Sequence, residues 1–196
     1  MLLKDKIKNY NVVLVSQSPR RRELLKGLEI EFTSTSVDTD ESYPSSIQGA
    51  EIPVYIATKK ADAYMPQMQD NTLAITADTV VLIDNQILGK PKDKAEAIAM
   101  LQHLSSNTHQ VITGVCIQTK QKRQVFSATS EVTFATLTLE EIEHYVDLYK
   151  PFDKAGSYGV QEWIGYVGIE KINGSYFNVM GLPVQRLYKE LLTISN

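Results

Sequence analysis

At 196 residues and 43% apolar content, the chain can bury the core of one α/β domain or of two short lobes. Charged residues make up 22% and nearly cancel to a net −3, which excludes a protein that coats nucleic acid through a bulk basic excess. A single cysteine excludes an internal disulfide framework, and with only three histidines a zinc site is not expected, leaving a hard cation held by carboxylates.

In chain order, residues 1–10 carry Lys4, Lys6 and Lys8 without an apolar h-region, and no apolar run reaches membrane-span length, so the expected compartment is the cytoplasm. Residues 11–15 read as a short buried strand. Ser18 and Pro19 then open a helix as N-cap and first helical residue, with Leu24, Leu25 and Leu28 as its apolar face and Gly27 at its end. Residues 37–50 are polar and turn-rich, a predicted loop, and helix returns over 53–64. A long strand spans 73–83, with Asp84-Asn85 turning into 86–88. Asp93 caps a helix striped by Ala97, Met100, Leu101 and Leu104.

Residues 111–119 and 125–136 pair as a hairpin across a polar turn. Thr138 and Glu141 form a capping box for a helix over 139–148. Residues 151–181 hold six glycines and predict short, interrupted strands, before a final amphipathic helix from about Pro183. Strands and helices interleave around one long hairpin, which predicts an α/β fold with a mixed sheet.

Four segments stand out chemically. Arg20, Arg21 and Arg22 occupy the first turn of a helix, where the macrodipole disfavours positive charge by up to about 1 kcal/mol each. An anion on the free N–H groups and guanidinium forks offsets that conflict; arginines reaching solvent or surface acids are the plainer account. Asp78 interrupts an apolar strand, so it is a general base, a metal ligand, or a strand-end carboxylate satisfied by backbone N–H groups. Glu41, Lys60 and Lys90 are individually ordinary, although Pro91 restricts Lys90 to an extended backbone projecting from a turn. The glycines of 153–161 and 174–181 either let backbone approach a flat ligand or make tight turns. Neither a Walker A sequence nor a G-x-G-x-x-G in its proper context is present, which argues against a P-loop kinase and a dinucleotide oxidoreductase.

Taken together these segments resemble the Maf family of nucleoside triphosphate pyrophosphatases. The resemblance runs from Val13 to Pro183. It rests on S-x-S-P-R-R at Ser16 to Arg21, A-D-T at Ala77 to Thr79 and G-K-P at Gly89 to Pro91. D-K-A-G-x-Y-G-x-Q at Asp153 to Gln161 and N-G-S-Y at Asn173 to Tyr176 complete it. It implies one Maf-like domain over 1–196: a mixed twisted sheet with flanking helices, in two lobes around a cleft, like inosine triphosphate pyrophosphatases, and often a homodimer. It also implies hydrolysis of a nucleoside triphosphate to monophosphate and pyrophosphate with Mg²⁺ or Mn²⁺.

Carried onto this chain, Asp78 is the proton acceptor and, with Glu41, holds the metal. Arg21, Lys60 and Lys90 clamp the triphosphate, and Ser16 is a phosphate-facing hydroxyl. Arg20, Thr79 and Gln161 are the combination similar to the dTTP/UTP branch, which suits a glutamine amide facing the carbonyl-and-imide edge of uracil or thymine. Clearing modified pyrimidine nucleotides is a role in keeping with that branch. One departure is Glu162 followed by Trp163, where better-known members carry glycine after the glutamine; it bears on the shape of the base pocket. Two rival readings are a nucleotide-binding regulator of septum formation with little turnover and a nucleic-acid module using Arg20 to Arg22. Retention of Asp78, Glu41 and Lys90 counts against the first, and the net negative charge against the second.

Overall fold

In the computed structural model, which describes residues 2–194, capped periodic segments form helices and apolar runs form strands. A short helix α1 (Leu3–Lys6) precedes β1 (Asn11–Val15), whose last four residues are buried. Ser18 stays extended and its side chain accepts the Arg21 N–H, opening α2 (Pro19–Lys26) with Pro19 in the first turn. After β2 (Thr33–Thr35) the polar stretch is irregular up to α3 (Glu51–Tyr64). The strand β3 (Thr72–Ile83) turns into β4 (Gln86–Leu88) through Asp84 and Asn85, both at positive φ as a type I′ hairpin requires.

Asp93 accepts the Glu96 N–H and caps α4 (Lys94–Leu104). The hairpin β5 (Thr108–Gln118) and β6 (Arg123–Phe134) follows, and then α5 (Leu139–Tyr149) with both halves of its capping box formed. β2 and β1 are parallel, as are β1 and β3, while β4 pairs antiparallel with β3 and β7 (Ile169–Asn173) antiparallel with β6. Among the described residues the sheet has seven strands in the order β2-β1-β3-β5-β6-β7, with β4 beside β3.

The segment 151–181 departs from expectation. Besides β7 it contains a 3-10 turn at Ala155–Ser157 and two helices, α6 (Trp163–Gly168) and α7 (Tyr176–Val179), ahead of α8 (Val184–Ile194). The glycines serve close approach rather than strand interruption. A Cβ on Gly165 would stand 1.9 Å from the Val160 carbonyl oxygen, so only glycine lets the chain fold back there. Ser175 accepts the Asn178 N–H as the cap of α7.

The chain divides into two compact units. The first takes in residues up to Asp78, Thr113–Ala128 and the chain from Gly181; the second takes in Thr79–Ile112 and Thr129–Met180. In the first, Val13, Val15, Tyr64, Met68 and Ala74 form one buried cluster, and Ala57 and Ala61 of α3 meet Cys116 in another. Gly114 is required here, because a Cβ would lie 2.3 Å from the backbone of Pro53 and Val54. In the second unit, Leu101, Leu104, Val132, Phe134, Ile142, Tyr145 and Tyr158 share a larger core.

That core holds His109, whose Nε2 lies 2.7 Å from the Tyr158 hydroxyl and whose ring packs against Phe134. Nδ1 is buried with no hydrogen-bond partner among the described residues, so a second ring proton finds no acceptor there. Burial lowers the His109 pKa from 6.5 to about 4. The unfolded chain therefore takes up this proton first as pH falls, and stability present above pH 6.5 is lost toward pH 4. Urea unfolding is expected to show about 3 kcal/mol of acid destabilisation from this group between those limits. His109→Gln should flatten that component; identical pH slopes for variant and wild type would assign the loss to other groups.

Candidate active site

The first unit gathers the carboxylates and cations singled out in the sequence except Lys90. On β3 side chains alternate, so Thr76 and Asp78 share a face, about 6.6 Å apart along the strand. On α3, Ala57 and Lys60 lie one turn apart, about 4.5 Å along the axis. The two spacings match closely enough for Thr76 Oγ1 to donate to the Ala57 carbonyl at 2.6 Å while Lys60 Nζ donates to Asp78 Oδ1 at 2.8 Å. Asp78 is therefore satisfied by a lysine rather than by backbone N–H groups. Both side chains are largely out of water, 13% exposed for Asp78 and 14% for Lys60.

The same ammonium lies 2.9 Å from Glu41 Oε1, on the polar stretch before α3. The neighbouring lysine secures that stretch: Lys59 Nζ donates to the Ser42 carbonyl at 3.1 Å and lies 3.6 Å from Asp40 Oδ2. Hydrogen bonds from the Ser42 hydroxyl and then its N–H hold the Asp40 carboxyl below its usual range. Sequence reasoning passed over Lys59 and Asp40. The signal was present as two adjacent lysines on a helix and two adjacent acids in a loop.

Arg21 is half-buried and turns its guanidinium onto backbone carbonyls. Its Nε donates to the Gly181 carbonyl and its Nη1 to the Ala77 carbonyl, each at 2.8 Å. Burial pulls the guanidinium below its usual pKa; Asp78 and Glu41 act in the opposite sense, and Arg20 adds to the lowering. Arg21 thus shares an electrostatic neighbourhood with Asp78, Glu41 and Arg20. Ser16 Oγ accepts the Ser18 N–H at 3.2 Å at the entrance to α2. Arg20 is half-buried and Arg22 exposed. The one thiol is no nucleophile: burial pushes Cys116 up to about 11.

The remaining candidates belong to the second unit. Thr79 is half-buried and Lys90 exposed, the latter in the irregular stretch between β4 and α4. The G-K-P and D-K-A-G segments are joined there, because the Gly156 N–H donates to the Gly89 carbonyl at 3.1 Å. Gly156 adopts φ +69, and a Cβ would meet Val81 at 2.9 Å, so this joint demands glycine. Gln161 is half-buried, and its amide oxygen is a buried acceptor with no hydrogen-bond partner among the described residues. Lys154, which sequence reasoning did not nominate, is buried beside Asp153 at 2.8 Å and Glu162 at 3.1 Å.

The N-G-S-Y segment is scaffold. The Ser175 N–H and the Asn178 side-chain amide both donate to Ser130 Oγ at 3.0 Å, and Asn178 also donates to the Val111 carbonyl.

Among the described residues no group of three or more His, Cys, Asp or Glu side chains gathers as a metal cage. Glu41 and Asp78 do share one ammonium, and two carboxylates completed by phosphate oxygens and water are a donor set that suits Mg²⁺.

Comparison with known proteins agrees with the resemblance read from the motifs. The family described as Maf-like protein matches residues 11–194. A dTTP/UTP pyrophosphatase of Parabacteroides distasonis is 59% identical over 95% of this chain and 97% of its own. Proteins of the same name from Porphyromonas gingivalis and Flavobacterium psychrophilum are 55% and 48% identical, over 95% and 97% of this chain and 96% and 98% of theirs. Among solved structures, the Staphylococcus aureus Ham1 protein is similar with a TM-score of 0.55, covering 93% of this chain and 98% of its own at 15% identity, a likeness of fold alone. With a family match over nearly its whole length and full-length relatives at such identity, the chain belongs to the Maf family.

Proposed function

We propose that this chain hydrolyses nucleoside triphosphates, dTTP and UTP foremost, to the monophosphate and pyrophosphate. The observation that carries the reading is the charge cluster in which Lys60 joins Asp78 to Glu41, with Arg21 in the same field. It is supported by family membership and by relatives named for that activity. Water attacks the α-phosphorus, a P–O bond forms, and the bond to the α–β bridging oxygen breaks. Asp78 takes the water's proton, and the electron pair leaves with pyrophosphate. Arg21, Lys60 and Lys90 answer the negative charge of the triphosphate and of the leaving group, and the Ser16 hydroxyl faces a phosphate.

Glu41 and Asp78 would hold Mg²⁺ or Mn²⁺, which supplies charge neutralisation and a polarised water when bound. Gln161 reads the base, since its orphan amide oxygen accepts from the imide N–H of uracil or thymine while its NH₂ donates to a ring carbonyl. Arg20 and Thr79 complete the base preference. The partner is thus a nucleotide and not a nucleic acid, and the compartment the cytoplasm. Among the described residues no helix is long and apolar enough to cross a membrane.

Incubation with a panel of canonical and modified pyrimidine triphosphates and Mg²⁺ or Mn²⁺ is expected to yield monophosphate and pyrophosphate. Chromatography showing diphosphate and orthophosphate would move the cleavage site. Absence of turnover with every triphosphate would favour a binding protein.

Asp78→Asn keeps the shape but accepts no proton, so turnover is expected to fall about 10²–10⁴-fold while nucleotide binding survives. Circular dichroism must accompany the assay, because Lys60 then keeps only Glu41 as its anionic partner in this cluster. Near-normal rates in a folded variant would reduce Asp78 to a structural role.

Arg21 sees the same phosphates whatever base is attached. Arg21→Ala should lower kcat/KM by a similar factor for all triphosphates, whereas Gln161→Ala or Arg20→Ala should erode the preference for dTTP and UTP by roughly 1–3 kcal/mol. An equal loss toward every base in Gln161→Ala would make Gln161 a packing residue.

A further inference from the structure

The turn that carries Gln161 is closed by its own backbone. The Glu162 N–H donates to the Gly159 carbonyl at 3.0 Å, leaving Val160 and Gln161 as the two central residues. One hydroxyl grips both ends of this turn. Tyr145 is fully buried on α5, and its Oη accepts the Gly159 N–H at 3.0 Å while donating to Glu162 Oε2. Burial and then Glu162 push the phenol above its usual range, so it remains a donor at neutral pH.

The other carboxylate oxygen of Glu162 lies 3.1 Å from Lys154 Nζ, itself nearly buried. Glu162 occupies the N-cap position of α6, yet its side chain makes no capping bond. It is committed to Tyr145 and Lys154 instead. The fit is tight, since a Cβ on Gly159 would stand 2.8 Å from the Glu162 carboxyl carbon. Gln161 itself holds its amide oxygen buried with no donor among the described residues.

We propose that Tyr145, Glu162 and Lys154 are positioning residues that clamp the 159–162 turn, so that the Gln161 amide is set for the imide N–H of a uracil or thymine base before the nucleotide arrives. The inference rests on Gln161 as the reader of the base. Uracil offers a donor at N3 where cytosine has an acceptor, so a fixed acceptor discriminates between them and a swivelling amide, free to present its NH₂ instead, does not. A preset acceptor also spares the ordering of that side chain at the moment of binding. Glu162, a departure from the better-known members, is then one arm of the clamp and leaves the base edge to Gln161.

The test is the ratio of kcat/KM for UTP to that for CTP in Tyr145→Phe, Glu162→Gln, Gln161→Ala and the Tyr145→Phe/Gln161→Ala pair, with thermal unfolding to confirm the fold. Tyr145→Phe keeps the ring and removes both hydrogen bonds, and is expected to lower the ratio about five- to tenfold. Glu162→Gln should move it in the same direction by less, and decides the matter if Tyr145→Phe does not fold. In the Gln161→Ala background the tyrosine change should leave the ratio where it is. If Gln161→Ala collapses the ratio while folded Tyr145→Phe and Glu162→Gln keep it, the clamp is overturned and the reader stands. Equal losses toward UTP and CTP in the clamp variants also overturn it, as a packing role. A wild-type ratio in Gln161→Ala overturns the base reading and the clamp with it.

Discussion

The Lys60 ammonium lies 2.8 Å from Asp78 and 2.9 Å from Glu41, and with Asp78 it is largely withdrawn from water. Losing a partner from such a pair is costly, because it leaves a charge withdrawn from water with less compensation. Three separate pieces of chain must therefore agree: β3 presents Asp78, α3 presents Lys60, and the stretch before α3 presents Glu41. Other features of the first unit serve that agreement. Thr76 donates to α3 one turn away from the ion pair, Lys59 secures the stretch bearing Glu41, and Gly114 leaves room for the α3 backbone against β5.

Within this cluster Arg21 and Lys60 carry two positive charges and Asp78 and Glu41 two negative ones. The cluster is thus close to neutral before any ligand binds. A triphosphate adds several negative charges, so the proposed reaction needs positive charge beyond this cluster, which a divalent cation would help to supply. Arg21 is a special case. By donating to the carbonyls of Ala77 and Gly181 it ties the residue before Asp78 to the chain three residues ahead of α8, which fixes the orientation of its guanidinium. A lysine at this position could not make the same planar fork.

The second unit solves a different problem. Its glycine-rich segment folds into turns and short helices tied by polar contacts: Gly156 to Gly89, Ser175 and Asn178 to Ser130, and Tyr145 to both ends of the Gln161 turn. Most polar side chains buried here have partners, as the low dielectric demands. One ring nitrogen of His109 and the amide oxygens of Gln161 and Asn178 find no hydrogen bond among the described residues. Of these, the Gln161 oxygen sits on the turn held by Tyr145, and in the proposed reading it is the acceptor kept for a ligand.

Much of the fold was legible in the residues. Ser18, Asp93 and Thr138 cap helices where the sequence placed them, the Asp84-Asn85 turn forms, and the five motifs mark the family. These features are local: capping, turn geometry and apolar periodicity act within a few residues, so a single chain displays them. Of the short strands expected through 151–181 only β7 forms among the described residues, because glycine marks close approach as readily as it breaks a strand, and which of the two applies depends on what packs against it. Partners were not legible either. Lys60 meets Asp78 across 18 residues of chain, Arg21 meets Ala77 across 56 and Gly181 across 160. A charged side chain withdrawn from water takes whichever opposite charge or carbonyl the folded chain brings within about 3 Å, and only the tertiary structure decides which that is.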